Sequence, residues 1–186
     1  MKKLLLIFLA CMPIASLAQI LSVEEAKNIV KEKGVLEQKR VIVVDSTSKS
    51  TLYRRALEAF SDWTGADGRS NAGLDYNDKE EGAVNYKGVY FQGEKKSIIS
   101  SIQYYTDFIM KVRCKDGRAQ VTVIIPSGYA IVTDGSRVSW DIRDFVAKLK
   151  SNKETKTKGV CNIREVLSFL LDAMETALKK SDEEDF

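Results

Sequence analysis

From Ile102 to Ile125 the apolar, aromatic and β-branched residues fall on every second position. They run Ile102, Tyr104, Thr106, Phe108, Met110, Val112, Cys114 and then, after Asp116-Gly117, Ala119, Val121, Val123, Ile125. A period of two is that of a strand with one buried face. Asp-Gly between two such runs predicts a hairpin closed by a type I′ turn, whose two central residues both take φ > 0. With these two as the loop, Lys115 faces Arg118, and the next pairs are Cys114–Ala119, Val112–Val121, Met110–Val123 and Phe108–Ile125. A slip of one residue would set each apolar run against the opposite face, so the pattern specifies its own register. The rest of the chain has to cover the apolar face of this hairpin.

The first residues concern location rather than fold. Met1-Lys2-Lys3, the apolar run Leu4 to Leu9 and Ala15-Ser16-Leu17-Ala18 have the order of a secretory signal over 1–18, cut before Gln19. The expected location is the periplasm or the outside of the cell. A rival reading takes Phe8-Leu9-Ala10-Cys11 as a lipoprotein box with Cys11 acylated. The apolar run is too short to span a bilayer and is broken by Pro13. Losing Lys2 and Lys3 takes the count from 29 basic against 26 acidic residues to 27 against 26. A net charge near zero gives no reason to expect nucleic acid or an anionic membrane as partner.

Downstream, Ser22-Val-Glu-Glu25 is a capping box. It predicts a short helix carrying Val23, Ala26, Ile29 and Val30 and stopped by Gly34, a lead-in over 19–36. Val41-Ile-Val-Val44 suits a strand with buried faces. Ser46 to Ser50 supplies capping hydroxyls for an amphipathic helix bearing Leu52, Tyr53, Ala56, Leu57, Phe60 and Trp63. Gly65 to Gly73 reads as a surface loop. Leu74 to Phe91 reads as a second hairpin around Asn77 to Gly82, and Gly93 to Ser97 as the turn before the central hairpin. Pro126-Ser-Gly128 is expected to break the strand. A third hairpin about Asp134-Gly135 would pair Ile131 with Val138 and Tyr129 with Trp140. Asp141 to Lys150 is a short helix with Ile142, Phe145, Val146 and Leu149 on one side. Ser151 to Gly159 is a charged connector. The strongest helical pattern follows Asn162-Ile-Arg-Glu165, with Ile163, Val166, Leu167, Leu170, Met174, Ala177 and Leu178 in one stripe. Ser181 to Phe186 is an acidic tail.

A strand followed by Leu52-Tyr53…Ala56-Leu57…Trp63, then Asp78-Lys79-Glu80…Gly82…Lys87-Gly88, the Tyr104…Asp116-Gly117-Arg118 hairpin and a closing amphipathic helix form a recognisable series. In this order of elements the chain resembles a domain of unknown function, DUF4468, with a fold like that of the TATA-box-binding protein (TBP), found in exported bacterial proteins. The resemblance covers Glu37 to Lys180. It implies an α+β fold: a curved antiparallel sheet of β-hairpins with helices packed on one face, here a single domain over 37–180. It implies no catalytic residues.

The residues themselves exclude much chemistry. There is no histidine, which removes the commonest general base and metal ligand. No glycine-rich loop is followed by the lysine of a phosphate site. Asp75 to Gly82 is acidic enough to suggest calcium, but Lys79 falls where an oxygen ligand is wanted, and a hairpin tip explains the composition. No metal or cofactor is expected. Outside the signal the cysteines are Cys114 and Cys161, either buried small hydrophobes or one disulfide, since Cys161 opens the helix that should lie over the hairpin.

On the hairpin's other face Tyr105, Ile109 and Ile124 stand among Lys111, Arg113 and Gln120. This is either a solvated sheet face or a binding platform. Two function classes follow. One is an exported non-enzymatic module that binds an envelope protein, peptide or glycan through Tyr105, Ile109, Lys111, Arg113, Gln120 and Ile124. The other is a carboxylate-dependent hydrolase whose acids converge only in the fold.

Overall fold

A computed structural model describes residues 20–67, 73–149, 156–157 and 160–180. The expected signal with Cys11, the acidic tail and part of each polar connector (68–72, 150–155, 158–159) lie outside the described residues. Along the chain run α1 (Val23–Lys33), β1 (Leu36–Val43), α2 (Lys49–Asp67), β2 (Gly73–Asp78), β3 (Ala83–Lys96), β4 (Ser101–Lys115), β5 (Arg118–Val132), β6 (Arg137–Asp141), α3 (Ile142–Ala147), β7 (Lys156–Thr157), β8 (Val160–Cys161) and α4 (Ile163–Lys179). β1 to β6 form one antiparallel sheet in the order β1-β5-β4-β3-β2, with β6 on β5, and β7 pairs β8 separately. β1 takes Arg118 to Ile125 of β5 and β6 takes Ser127 to Ile131, so both flank the same edge of one long strand.

The central hairpin keeps the register that its alternation demands: Lys115–Arg118, Cys114–Ala119, Val112–Val121 and Met110–Val123 are all facing pairs. Its turn is not type I′. Gly117 has φ +74°, but Asp116 does not share a positive φ. The connection from β1 to α2 has taken up the turn: Val44 N–H donates to Gly117 O, Gly117 N–H to Thr47 O, and Lys49 N–H to Asp116 Oδ1. These tertiary bonds decide the turn's conformation.

Farther along, Phe108 and Ile125 do not face each other, because β5 carries one extra residue between Ile124 and Ser127. Pro126 falls in this bulge, where its missing N–H costs no ladder bond, and the strand continues to Val132 instead of breaking. A second bulge, between Phe91 and Gly93, carries β3 through the stretch that reads as a turn, so the true turn is Ser97 to Ser100. The third hairpin forms one residue out of the expected register. Tyr129 faces Ser139 and Gly128 faces Trp140. Val132 N–H donates to Ser136 O around Thr133-Asp134-Gly135, with Gly135 at φ +83°. A three-residue loop needs that left-handed last position. The one-residue shift sends Tyr129 and Trp140 to opposite faces.

One face of the sheet carries the core. Val84, Tyr86, Phe108, Met110, Val112, Cys114, Val121, Val123 and Ile125 meet the buried sides of all four helices. α4 starts with the expected capping box (Asn162 with Glu165) and buries Ile163, Val166, Leu167, Leu170, Leu171, Met174 and Leu178. Each such side chain contributes roughly 1.5–3 kcal/mol when fully buried, so packing rather than propensity holds this helix. Arg40 of β1 lies beneath it and binds Asp172 at 2.6 Å and Glu175 at 2.9 Å. Arg55 of α2 donates to Leu178 O at 2.9 Å, satisfying a carbonyl at the α4 C-terminus. α1 has the predicted Ser22–Glu25 box and the Gly34 cap at φ +69°. It joins the core through Val23, Ala26 and Val30, so this lead-in is part of the domain.

The course of α4 overturns the expected Cys114–Cys161 bridge. Leu178, at its C-terminal end, meets α2, whose first residue Lys49 is bonded to the turn beside Cys114. Cys161 therefore begins the helix at its far end, roughly 25 Å away by the 1.5 Å rise of a 17-residue helix. Cys114 is a free, buried thiol. Among the described residues no helix is long and apolar enough to cross a membrane.

Candidate functional site

With every helix on one face, the other is left to Glu37, Lys39, Val41 and Val43 of β1, Arg118 to Ile124 of β5 at alternate positions, and Ile109 to Lys115 of β4 likewise. Strand pairing orders them in rows: Glu37–Ile124–Ile109, then Lys39–Thr122–Lys111, then Val41–Gln120–Arg113. Glu37, Lys39, Lys111, Arg113, Gln120, Thr122 and Ile124 line a shallow depression of about 220 Å³. Thr122 is buried at its floor. Lys39 and Lys111 stand on the strands either side, about 10 Å apart at two strand spacings.

Charge is concentrated here although the chain as a whole is nearly neutral. Lys39, Lys111, Arg113, Lys115 and Arg118 share this half of the face. Its one acid in the depression, Glu37, accepts from Lys33 at 2.9 Å and lies 3.3 Å from Lys39. Partial burial pushes the Glu37 carboxyl upward, but the hydrogen bonds from the two lysines outweigh it and hold it below the usual range.

The structure thus brings together four of the residues read from the sequence: Lys111, Arg113, Gln120 and Ile124. Ile109 sits half-buried opposite Ile124. Tyr105 lies on the same face but is only 2% exposed. Its ring stacks on Tyr129 (centroids 4.9 Å apart, 17° between planes) and leans on Phe91 at 5.3 Å, and its hydroxyl donates to Gln103. Arg137 covers the Tyr129 ring at 3.6 Å. Tyr105 therefore braces β3, β4 and β5 and offers no contact surface.

Glu37 and Lys39 were not legible as site residues, whereas Thr122 follows from the alternation of β5. The β-branched run suggested a β1 buried on both sides, but β1 is an edge strand over an uncovered face. There Val41 and Val43 are 60% and 58% exposed and only Leu36 and Ile42 of its apolar residues enter the core. The alternation Glu37-Gln38-Lys39-Arg40-Val41 would have given the same phase had Arg40 been read as an inward cation.

The acidic segment Asp75 to Gly82 is the end of β2 and the turn that leads into β3. Asp78 accepts from Glu81 N–H and Asp75 pairs with Lys87 at 2.6 Å. Among the described residues no three Cys, Asp or Glu side chains gather where they could hold a metal ion.

An open antiparallel sheet with helices on one face, built from long hairpins, is an α+β architecture of the TBP-like class. Residues 39–125 match the domain of unknown function (DUF4468) with TBP-like fold. Solved structures agree at the level of fold. A DUF4468 family protein from Bacteroides ovatus superposes with a TM-score of 0.58 at 12% identity, over 81% of this chain and 90% of that one. A TBP-like protein from Parabacteroides distasonis gives 0.54 at 10% identity, over 81% and 96%. No curated protein matches the chain.

Proposed function

We propose that the protein is an exported, non-enzymatic module that binds an acidic stretch of an envelope protein or peptide on its helix-free sheet face. The observation that carries this reading is the depression between Lys39 and Lys111–Arg113. Cations on both walls, a hydroxyl on the floor and exposed Val41 and Val43 at the rim suit a carboxylate-bearing peptide with some apolar side chains. Because the walls are rungs of a paired sheet, the backbone beneath the cations needs no ordering on binding.

The carboxylates of this face favour binding over hydrolysis. A hydrolase of this kind needs one carboxyl kept protonated, hence a raised pKa. Glu37 is shifted downward. Asp141 is held at about 2, chiefly by its hydrogen bonds with Arg143. Asp107 accepts from Ser127 at 2.8 Å.

The test is capture from envelope extracts on the immobilised protein, competed with poly-glutamate. Lys111→Glu with Arg113→Glu should abolish capture and leave the melting temperature within a few degrees, since both residues are exposed. Capture that survives charge reversal, or that poly-glutamate does not compete, would refute the proposal. Tyr105→Ala is unsuitable here because it removes a buried ring.

A further inference from the structure

The β3–β4 hairpin projects its turn at the end of the sheet remote from the cationic depression, and the tip consists of Ser97, Ile98, Ile99 and Ser100. Ile98 and Ile99 are 104% and 89% exposed, the two most exposed large apolar residues described. The turn is held: Ser97 N–H donates to Ser100 O at 2.8 Å, Ser100 N–H donates to Ser97 Oγ, and the two hydroxyls bond at 2.7 Å. Ser101 N–H donates to Thr133 Oγ1 on the adjacent hairpin at 2.6 Å, bracing the base. Two adjacent branched side chains are thus fixed outward rather than folded back onto the protein, at a cost in exposed apolar surface that the fold itself does not require.

From the tip inward, the chemistry is layered. The isoleucines come first, then the hydroxyls of Ser97, Ser100 and Ser101, then Lys95 and Lys96. Both lysines are exposed, with Lys96 also 3.1 Å from Glu94. This order matches the layers of a phospholipid surface: acyl chains, ester and glycerol groups, phosphates. A folded protein partner would need a patch of about 800 Å² on this side for a standard interface, and two side chains on a narrow turn do not supply it. A lipid surface needs no complementary shape.

We propose that the Ser97–Ser100 turn is a membrane-surface anchor that inserts Ile98 and Ile99 into the interface of a bilayer carrying anionic lipid. The chain is then peripheral and weakly held, as a single small anchor must be. About a dozen strand residues separate Ile99 from Lys111, so the cationic depression stands roughly 40 Å from the membrane and faces a partner clear of it.

Vesicle flotation with the purified full chain tests this, using liposomes of phosphatidylcholine with one-third phosphatidylglycerol. The protein should float with them, and Ile98→Ser with Ile99→Ser should lower the bound fraction at least about tenfold with an unchanged melting temperature. Ile98→Trp should still bind, and its emission should shift to the blue when vesicles are added, beyond any shift shown by the parent. Three results overturn the proposal. One is failure of the parent protein to bind these vesicles, another is equal binding by the double serine variant, and the third is an Ile98→Trp emission blind to lipid. Absence of lipid binding, together with a protein captured by the parent but not by the serine variant, would assign the tip to a protein partner instead.

Discussion

Alanine at Gly88 probes how closely the two central hairpins pack over the core. A Cβ built there would lie 2.6 and 2.7 Å from Phe108 Cζ and Cε1 and 2.7 Å from Tyr86 Cε1. Carbon atoms pack best at about 3.5–4.0 Å, so both rings must retreat by roughly 1 Å. Neither is free to do so. Tyr86 is stacked on Phe60 at 4.7 Å with 3° between planes, and Phe108 sits 5.9 Å from it on the other side. Overpacking of this kind costs about 1–3 kcal/mol. The same substitution at Gly73 on the outer strand meets nothing within 4 Å, and there the lost freedom of the unfolded chain should stabilise by about 0.4–1 kcal/mol. Two chemically identical changes should therefore differ in sign, and their difference is the steric cost of the site. Equilibrium urea unfolding of both variants, with m unchanged, measures it. Phe108→Leu should relieve the clash, so that Gly88→Ala with Phe108→Leu is less unstable than the sum of the single changes by about 1 kcal/mol. If Gly88→Ala stabilised the protein as Gly73→Ala does, Gly88 would not face Phe108 and the β3–β4 register would be wrong.

Other expectations are more local. Burial raises the Glu175 carboxyl, but hydrogen bonds from Lys179 and Arg40 outweigh it and leave the pKa lowered. A depressed folded pKa contributes stability above the unfolded value of about 4.3, lost as pH falls through the folded one. Glu175→Gln should thus cost about 1–3 kcal/mol at neutral pH, and the gap from the parent should close as pH falls through the lowered Glu175 pKa. A gap unchanged across the whole acid titration of the parent would show that the carboxylate's charge is not what matters. For Cys114, burial pushes the thiol up to about 11, so in a Cys161→Ser background it should react with a thiol reagent at pH 7 at least a hundredfold more slowly than in urea, to order of magnitude. Rapid native labelling, or a native intact mass two hydrogens light in the parent, would contradict a free buried Cys114.

Much of the fold was written in periodicities. The alternation of the central hairpin carried its register from the turn as far as Ile109 and Ile124, short of the bulge, and the capping boxes at Ser22 and Asn162 marked both helix starts to the residue. What was not legible arose from contacts distant in sequence. The Asp116-Gly117 turn gave up its local preference because Val44, Thr47 and Lys49 bond to it. Pro126 reads as a breaker, yet a bulge places it where a proline does no harm. Trp140 could be phased only by knowing that it covers Gly128, where a Cβ would lie 2.0 Å from the indole. The site was half legible for the same reason. Its β4 and β5 residues follow from the hairpin's alternation, but β1 contributes Glu37 and Lys39 only once its partner strand is known. Tyr105 showed the right face and the wrong exposure, since nothing local reveals that Tyr129 stacks on it.

The central claim, that the helix-free face is where the protein acts, is most directly tested by lysine acylation of the protein with and without its captured partner. Lys39 and Lys111 line the depression, whereas Lys27 and Lys31 lie on α1, on the helical side of the sheet. The account predicts that partner binding protects Lys39 and Lys111 and leaves Lys27 and Lys31 as reactive as before. Protection of Lys27 and Lys31 with Lys39 and Lys111 still reactive would place the function on the helices and contradict it.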